Sequence, residues 1–211
     1  MLALLEQLLH MENRYYILNK PYNMLSQFVS PYPHHRLLGD LDFKFPQGSH
    51  AIGRLDEFSE GLLILTTDKS ITRLLLHPDK QHNRHYVVQV QKEMSDTTLQ
   101  QLRNGIEIIL KQRGEYTTMP CEVNRINKPE NLAFIDKDYL DKIPHTWLEF
   151  VLTEGKNRQI RKMCKAVKHK CKRLIRTKIE NLELGLLQAG QVMEIDRESF
   201  FTKLGLTPNN E

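Results

Sequence analysis

The residues best placed to do chemistry begin at Gly53-Arg54-Leu55-Asp56 and run on through EFSEGLLILTTD to Asp68. A carboxylate just after a glycine turn, flanked by apolar runs that read as strand, can be held rigidly at the rim of a cleft. Side chains two apart on an extended segment share a face, so a strand-like Arg54 points the same way as Asp56. Taken alone, these four letters read better as a structural turn with a salt-bridged Asp. Two further clusters carry functional side chains. Arg84-His85-Tyr86-Val87-Val88 offers Tyr86 as a ring that could face a base, and Asn19-Lys20-Pro21 sets a lysine where a strand meets a proline turn. Each has a plain structural alternative: an ordinary strand tyrosine, and a strand end.

Charge gives a second signal. From Lys156 to Lys178 the chain reads KNRQIRKMCKAVKHKCKRLIRTK, with eleven Lys or Arg and no Asp or Glu. The whole chain carries 30 basic and 26 acidic residues, so without this segment 19 basic residues face 26 acidic ones. Positive charge is therefore concentrated, on a stretch that includes Arg158, Arg161, Lys162 and Lys165. A one-sided patch of this kind is the footprint of a polyanion partner, against the alternative of a solvated basic face.

These side chains need elements to position them. RYYIL at 14–18 reads as a strand ended by Pro21, 25–29 as a short extended piece, and 30–36 as a loop. His50 to Ile52 leads into a turn at Gly53, Leu62 to Thr66 suits a buried strand, and Asp68 can cap a helix over 69–76. Strands are expected at 86–90 and 146–152, with shorter ones near Leu174 and Val192. Helices are expected from Ser95 or Asp96 to Asn104, over 158–168 with Asn157 as cap, and over 198–204. Ile160, Met163, Cys164 and Val167 form the apolar stripe of the second of these. Residues 111–145 read as polar, irregular surface excursions. Helices and strands are interspersed without βαβ alternation, which implies an α+β fold with a mixed or antiparallel sheet core flanked by helices.

Several classes are disfavoured. Three sparse cysteines (Cys121, Cys164, Cys171) argue against a secreted disulfide framework and for a reducing, cytoplasmic setting. The apolar start MLALLEQLLHMENR lacks a basic n-region and is too short to span a bilayer, so no membrane association is expected. Leu2, Leu5, Leu8 and Leu9 fit one face of a short helix, or Met11 is the true start. Cys164, His169 and Cys171 match no common zinc spacing, and no metal is expected. His34, His35, His82 and His85 form no catalytic pattern.

Together the pieces resemble the pseudouridine synthases, and within them the RsuA/RluB/RluE/RluF family. NKP at 19–21, GRLD-x-x-S-x-G-L-L-x-L-T-x-D at 53–68, R-x-Y-x-V at 84–88, EGKNRQIRKM at 154–163 and LIRT at 174–177 follow the family's order along the chain. PYNMLSQF after the lysine resembles the type, acting on the large ribosomal subunit, that lacks an N-terminal S4-like domain. About 13 residues precede the first strand, so an extension of 1–13, a catalytic domain of 14–205 and a tail of 206–211 are expected. The chain departs from the family at Lys168 and Glu180, where Gly is usual, and at Gly190-Gln191-Val192-Met193.

The resemblance implies a pseudouridine synthase fold with a catalytic cleft. The implied reaction is isomerisation of a uridine in ribosomal RNA, with 23S RNA or the assembling large subunit as partner. No cofactor is implied, because the reaction involves neither redox change nor external group transfer. Asp56 would be the essential carboxylate; whether it attacks C1′ or takes a sugar proton to give a glycal stays open. Arg161 would be its partner, and Tyr86 would stack on the flipped uracil. Arg54 would fill the space the base leaves, and Leu174 would pack on the base. Lys20, Arg158, Lys162 and Lys165 would contact substrate, chiefly phosphates. A monomer is expected. The rival is a non-catalytic RNA-binding or ribosome-assembly protein on the same fold; a metal-dependent nuclease or deaminase lacks a ligand cluster.

Overall fold

In the computed structural model, described residues are 12–77, 79–111, 113–130, 132–133 and 142–207. The first strand, β1 (Tyr15–Lys20), and the third, β3 (Glu60–Thr66), are continuous apolar runs because both their faces are covered. On one face Tyr15, Ile17, Leu62 and Ile64 meet α1 (Ser70–Leu76) and α4 (Arg197–Leu204). The Tyr15 ring stacks on Phe200 at 4.5 Å between centroids and meets Phe201 edge-on. On the other face Tyr16, Leu18, Leu63 and Leu65 lie under Met24, Leu38, Phe43 and Phe45, supplied by the long loop after β1.

The second half of the sheet contains β4 (Arg84–Gln91), β7 (Glu122–Ile126) and β8 (His145–Leu152). It packs against α2 (Asp96–Arg103) and α3 (Gln159–Ala166) through Val88, Val90, Leu99, Leu102, Ile160, Met163 and Cys164. β9 (Cys171–Ile179) joins the halves, and β11 (Val192–Ile195) closes one edge, giving the order β11-β1-β3-β9-β4-β8-β7. Short strands β2 (His50–Ala51) and β10 (Leu182–Glu183) pair with β3 and β9. All these pairings are antiparallel except β3–β9, where two parallel residue pairs, Glu60 with Ile175 and Gly61 with Arg176, form the seam. Gly61 is required there: its φ is +96° and an added Cβ would lie 2.2 Å from the Arg176 carbonyl oxygen. The mixed sheet and α+β class expected from the sequence are observed.

Three local expectations are corrected. Residues 25–29 form no strand. Leu25 and Leu38 donate backbone hydrogen bonds to Arg36 and Gln27, so the loop folds on itself instead of joining the sheet. The span 111–145 is only partly irregular. Its start completes a separate hairpin, β5 (Glu107–Leu110) with β6 (Gly114–Thr117), and β7 is an edge strand paired to β8. These strands expose most of their side chains, so they carry little apolar periodicity to read. Asn157 does not cap α3. The position before the helix is Arg158, at φ +53°, and the Gln159 side-chain oxygen accepts the Lys156 N–H at 3.0 Å. The expected helix at Leu2–Leu9 lies outside the described residues.

Candidate active site

The loop between β2 and β3 carries Asp56. Gly53, at φ +70°, turns the chain, after which Arg54 is exposed, Leu55 buried and Asp56 half-buried, as alternation on an extended segment requires. The Asp56 carbonyl then accepts the Ser59 N–H at 2.9 Å, closing a tight turn. The post-β1 loop clamps this segment from behind. Ser26 Oγ donates to the Leu55 carbonyl at 2.9 Å and accepts the Leu55 N–H at 3.0 Å.

Two guanidiniums flank the Asp56 carboxylate. Arg158 Nη1 is 3.6 Å from Oδ2 and Arg161 Nε 3.7 Å from the same oxygen. At an effective dielectric of about 20 the Arg161 pair attracts by on the order of 4 kcal/mol before desolvation is counted, and the half-exposed Arg158 contributes much less because solvent screens it. Arg161 also donates through Nη2 to the Phe58 carbonyl at 2.6 Å and to Ser59 Oγ at 3.1 Å, so it fixes the loop backbone as well as facing the carboxylate. Arg158 stands in a left-handed backbone conformation, φ +53°, immediately before α3, a strained geometry for a residue with a Cβ.

Asp56 stands at the rim of a cavity of about 580 Å³. Tyr86 on β4 and Leu174 on β9 line the same cavity, with Arg54 and Arg158 beside Asp56. Of the nine residues singled out in the sequence, Asp56, Arg54, Tyr86, Leu174 and Arg158 converge on this space, and Arg161 supports it from behind the carboxylate. Lys162 and Lys165 lie on α3 outside the lining.

Lys20 lies in the interior, away from the cavity lining. It is fully buried, and its Nζ donates to the carbonyls of Pro21 (2.8 Å), Met24 (2.6 Å) and Glu57 (3.2 Å). With its three donors so used it ties the post-β1 loop to the Asp56 loop. Burial pushes its ammonium down to about 7, against the pull of Glu60, Glu57 and Asp56.

Three residues of the cleft were not singled out in advance. Arg176, 6% exposed, lines the cavity with Nε donating to the Leu62 carbonyl at 2.8 Å; its place two residues after Leu174 on the same strand face was the available signal. Glu154 accepts from Tyr116 Oη (2.5 Å), the Met119 N–H (2.9 Å) and Gln159 Nε2 (2.6 Å), which ties the β5–β6 hairpin to the start of α3. That hydrogen bond, with burial and the Glu154 charge, pushes the Tyr116 hydroxyl up to about 12. Arg84 donates to the carbonyls of His82, Thr153 and Leu75 and knits the cleft wall.

The basic segment divides on folding. Arg173 makes a two-pronged pair with Glu60, at 3.0 and 2.6 Å, with both side chains buried. Arg176 is buried, Arg161 holds the Asp56 loop and Lys178 pairs with Glu183 at 3.1 Å. Lys156 pairs with Glu154 at 3.7 Å and Arg158 faces Asp56, while Lys165, Lys168 and Lys170 are exposed. Cys164 is buried on α3 and Cys171 opens β9, while both His169 ring nitrogens face backbone carbonyls.

The chain belongs to the RNA pseudouridylate synthase family, which it matches over residues 14–166. The ribosomal large subunit pseudouridine synthase E of Xanthomonas campestris pv. campestris is 36% identical over 178 residues, 83% of this chain and 91% of that protein. The synthase E of Vibrio parahaemolyticus is 34% identical over 183 residues, 85% of this chain and 72% of that one. A solved pseudouridylate synthase superposes with a TM-score of 0.70 at 22% identity, covering 92% of this chain and 74% of that one. The human RNA pseudouridylate synthase domain containing 1 gives 0.52 at 14% identity, over 90% and 82% of the two chains. At these identities the two structures establish the pseudouridine synthase fold. Among the described residues no helix is long and apolar enough to cross a membrane.

Proposed function

We propose that this chain converts a uridine of ribosomal RNA, in the 23S RNA of the large subunit, to pseudouridine, with Asp56 as the acting carboxylate. The observation that carries the reading is the clasped Asp56 at the mouth of a cavity shared with Tyr86 and Leu174. Relatives whose names specify the large ribosomal subunit support the substrate.

In this reading the N1–C1′ bond breaks, the uracil turns and C5 joins C1′; the C5 hydrogen then leaves as a proton and N1 gains one, so that product and substrate are isomers. The target must first leave its stack, at a cost of a few kcal/mol that is least in a loop or distorted helix. Tyr86 stacks on the extruded uracil, a contact of about 1–3 kcal/mol, with Leu174 against the base. Exposed Arg54 fills the vacated space, and Asp56 faces the ribose. Arg158 and Lys165 serve phosphates. The enzyme works as a monomer in the cytoplasm, in keeping with its three free thiols.

The test is pseudouridine mapping of 23S RNA by carbodiimide-block primer extension, in cells with and without the gene. One primer-extension stop should vanish in its absence. Wild type should restore it and Asp56→Asn should not, although that variant still binds RNA. Substantial product from Asp56→Asn would overturn the assignment.

A further inference from the structure

We infer that Tyr22 and Phe58 form a stacking platform for the unpaired nucleobase adjacent to the target uridine, a subsite outside the catalytic cavity. The inference rests on an RNA substrate for the Asp56 site and adds a second point of contact.

Phe58 is 41% exposed and occupies the turn that the Asp56 carbonyl and Ser59 N–H close. It lies two residues from Asp56, so their Cα atoms are at most about 7 Å apart. The Tyr22 ring backs it, 5.4 Å between centroids and tilted by 37°. Neither ring belongs to the buried clusters that build the core. Hydrophobic packing of the fold therefore does not explain why an aromatic stands at the corner of the catalytic turn.

The backbone under both rings is pinned. Lys20 joins the Pro21 and Met24 carbonyls on the Tyr22 side to the Glu57 carbonyl on the Phe58 side. The Met24 N–H donates to the same Glu57 carbonyl at 3.2 Å, and Arg161 holds the Phe58 carbonyl. This explains what a fully buried lysine does beside the catalytic loop: it fixes two aromatic residues relative to Asp56. A rigid ring pair loses little freedom on binding a base.

The surroundings select a nucleobase over an apolar protein segment. Arg36 and Arg158 are exposed near this loop, and Arg158 reaches Asp56. Further along, Tyr32, 65% exposed, stacks edge-on against His35, which itself pairs with Glu57 at 3.3 Å. Aromatic rings interleaved with cations are the surface that single-stranded RNA uses, the rings for base faces and the cations for phosphates.

The test measures binding of a nine-residue oligocytidylate with one central uridine, and of the same RNA with an abasic residue on its 5′ or 3′ side. Removing the base on one side should weaken wild-type binding by roughly 5- to 150-fold, the range for stacking one base on an aromatic ring. Phe58→Ala should lose a similar factor on the intact RNA and become insensitive to the abasic residue. Phe58→Trp should behave like wild type. An unchanged thermal midpoint for Phe58→Ala separates loss of the platform from loss of the fold. Full abasic sensitivity in Phe58→Ala, or no abasic effect in wild type, overturns the platform, as does wild type that fails to bind the intact strand. Product formation on 23S RNA is read separately. Side-specific abasic sensitivity without product keeps the platform and removes the isomerase reading; product without that sensitivity does the reverse.

Discussion

Arg161 divides one guanidinium between the Asp56 carboxylate, the Phe58 carbonyl, Ser59 Oγ and the Cys171 sulfur, to which Nη1 donates at 3.7 Å. Arg158 is half-exposed and reaches the same carboxylate from the cleft side. Removing Arg161 releases the loop that sets Asp56 in place, and a displacement of about 1 Å at a reacting group costs roughly 10²-fold in rate. Arg161→Ala should therefore lose about that factor in single-turnover rate with little change in RNA affinity, whereas Arg158→Ala should weaken affinity more than rate. Equal loss of rate and affinity in Arg161→Ala would make it a phosphate contact only. A second residue-scale prediction concerns Lys168 and Glu180, where the family resemblance places glycine. Both keep positive φ, +61° and +48°. Lys168 is exposed, so Lys168→Gly should leave stability unchanged or raise it by up to about 1 kcal/mol in urea unfolding. Glu180 accepts the Asn83 N–H at 2.7 Å and faces His82, so Glu180→Gly should lose roughly 1 kcal/mol despite the same backbone relief. The reverse order would show that backbone strain is not what separates the two sites. Motif order made Asp56, Arg161, Tyr86 and Leu174 legible in the sequence. The burial of Lys20 was not legible, because a lysine beside a proline turn gives no sign that three carbonyls will enclose it. Ser26 was missed because its partner, Leu55, lies in the other loop.

At the scale of elements, apolar runs announced β3 and β8 well, and the aromatic stretch at 14–18 announced β1. The hairpin β5–β6 and the edge strand β7 were hidden by their exposure, and the register of α3 by a backbone turn at Arg158 that no cap residue signals. β1 gains a further tie that pH exposes. Tyr15 Oη donates to Asp68 Oδ2 at 2.8 Å, joining the strand to the residue whose other oxygen accepts the Ser70 N–H at the start of α1. Burial, then that bond, pushes the Tyr15 hydroxyl from 10.0 up to about 12. Its stabilisation is complete below pH 10, where the phenol is neutral folded or unfolded, and is lost as pH rises through 12. Urea unfolding from pH 8 to 11.5 should show wild type losing roughly 1–2 kcal/mol more than Tyr15→Phe, with the divergence starting near pH 10. Parallel curves for the two proteins would mean that the Tyr15–Asp68 bond contributes nothing to the fold.

For the whole molecule, the parallel seam between residues 60–61 and 175–176 could not be read from periodicity, because it joins segments far apart in the chain. The basic segment shows the same limit: its charge was legible, but not its division between structure and surface. Arg173 and Arg176 are buried in the sheet and Lys178 is paired on β9, while Lys165, Lys168 and Lys170 stay exposed at and beyond the end of α3. Only exposed cations release counterions when RNA binds, and each single-strand phosphate contact adds about 0.7 to the slope of log affinity against log salt. Replacing Lys165, Lys168 and Lys170 together by Ala should reduce that slope by about 2, measured on the same uridine-containing oligonucleotide between 50 and 300 mM salt. Lys178→Ala should leave the slope unchanged, because its ammonium is already held by Glu183. An unaltered slope in the triple variant would make the end of α3 a solvated basic face, and would leave RNA positioning to the cleft-side arginines and the loops around Asp56.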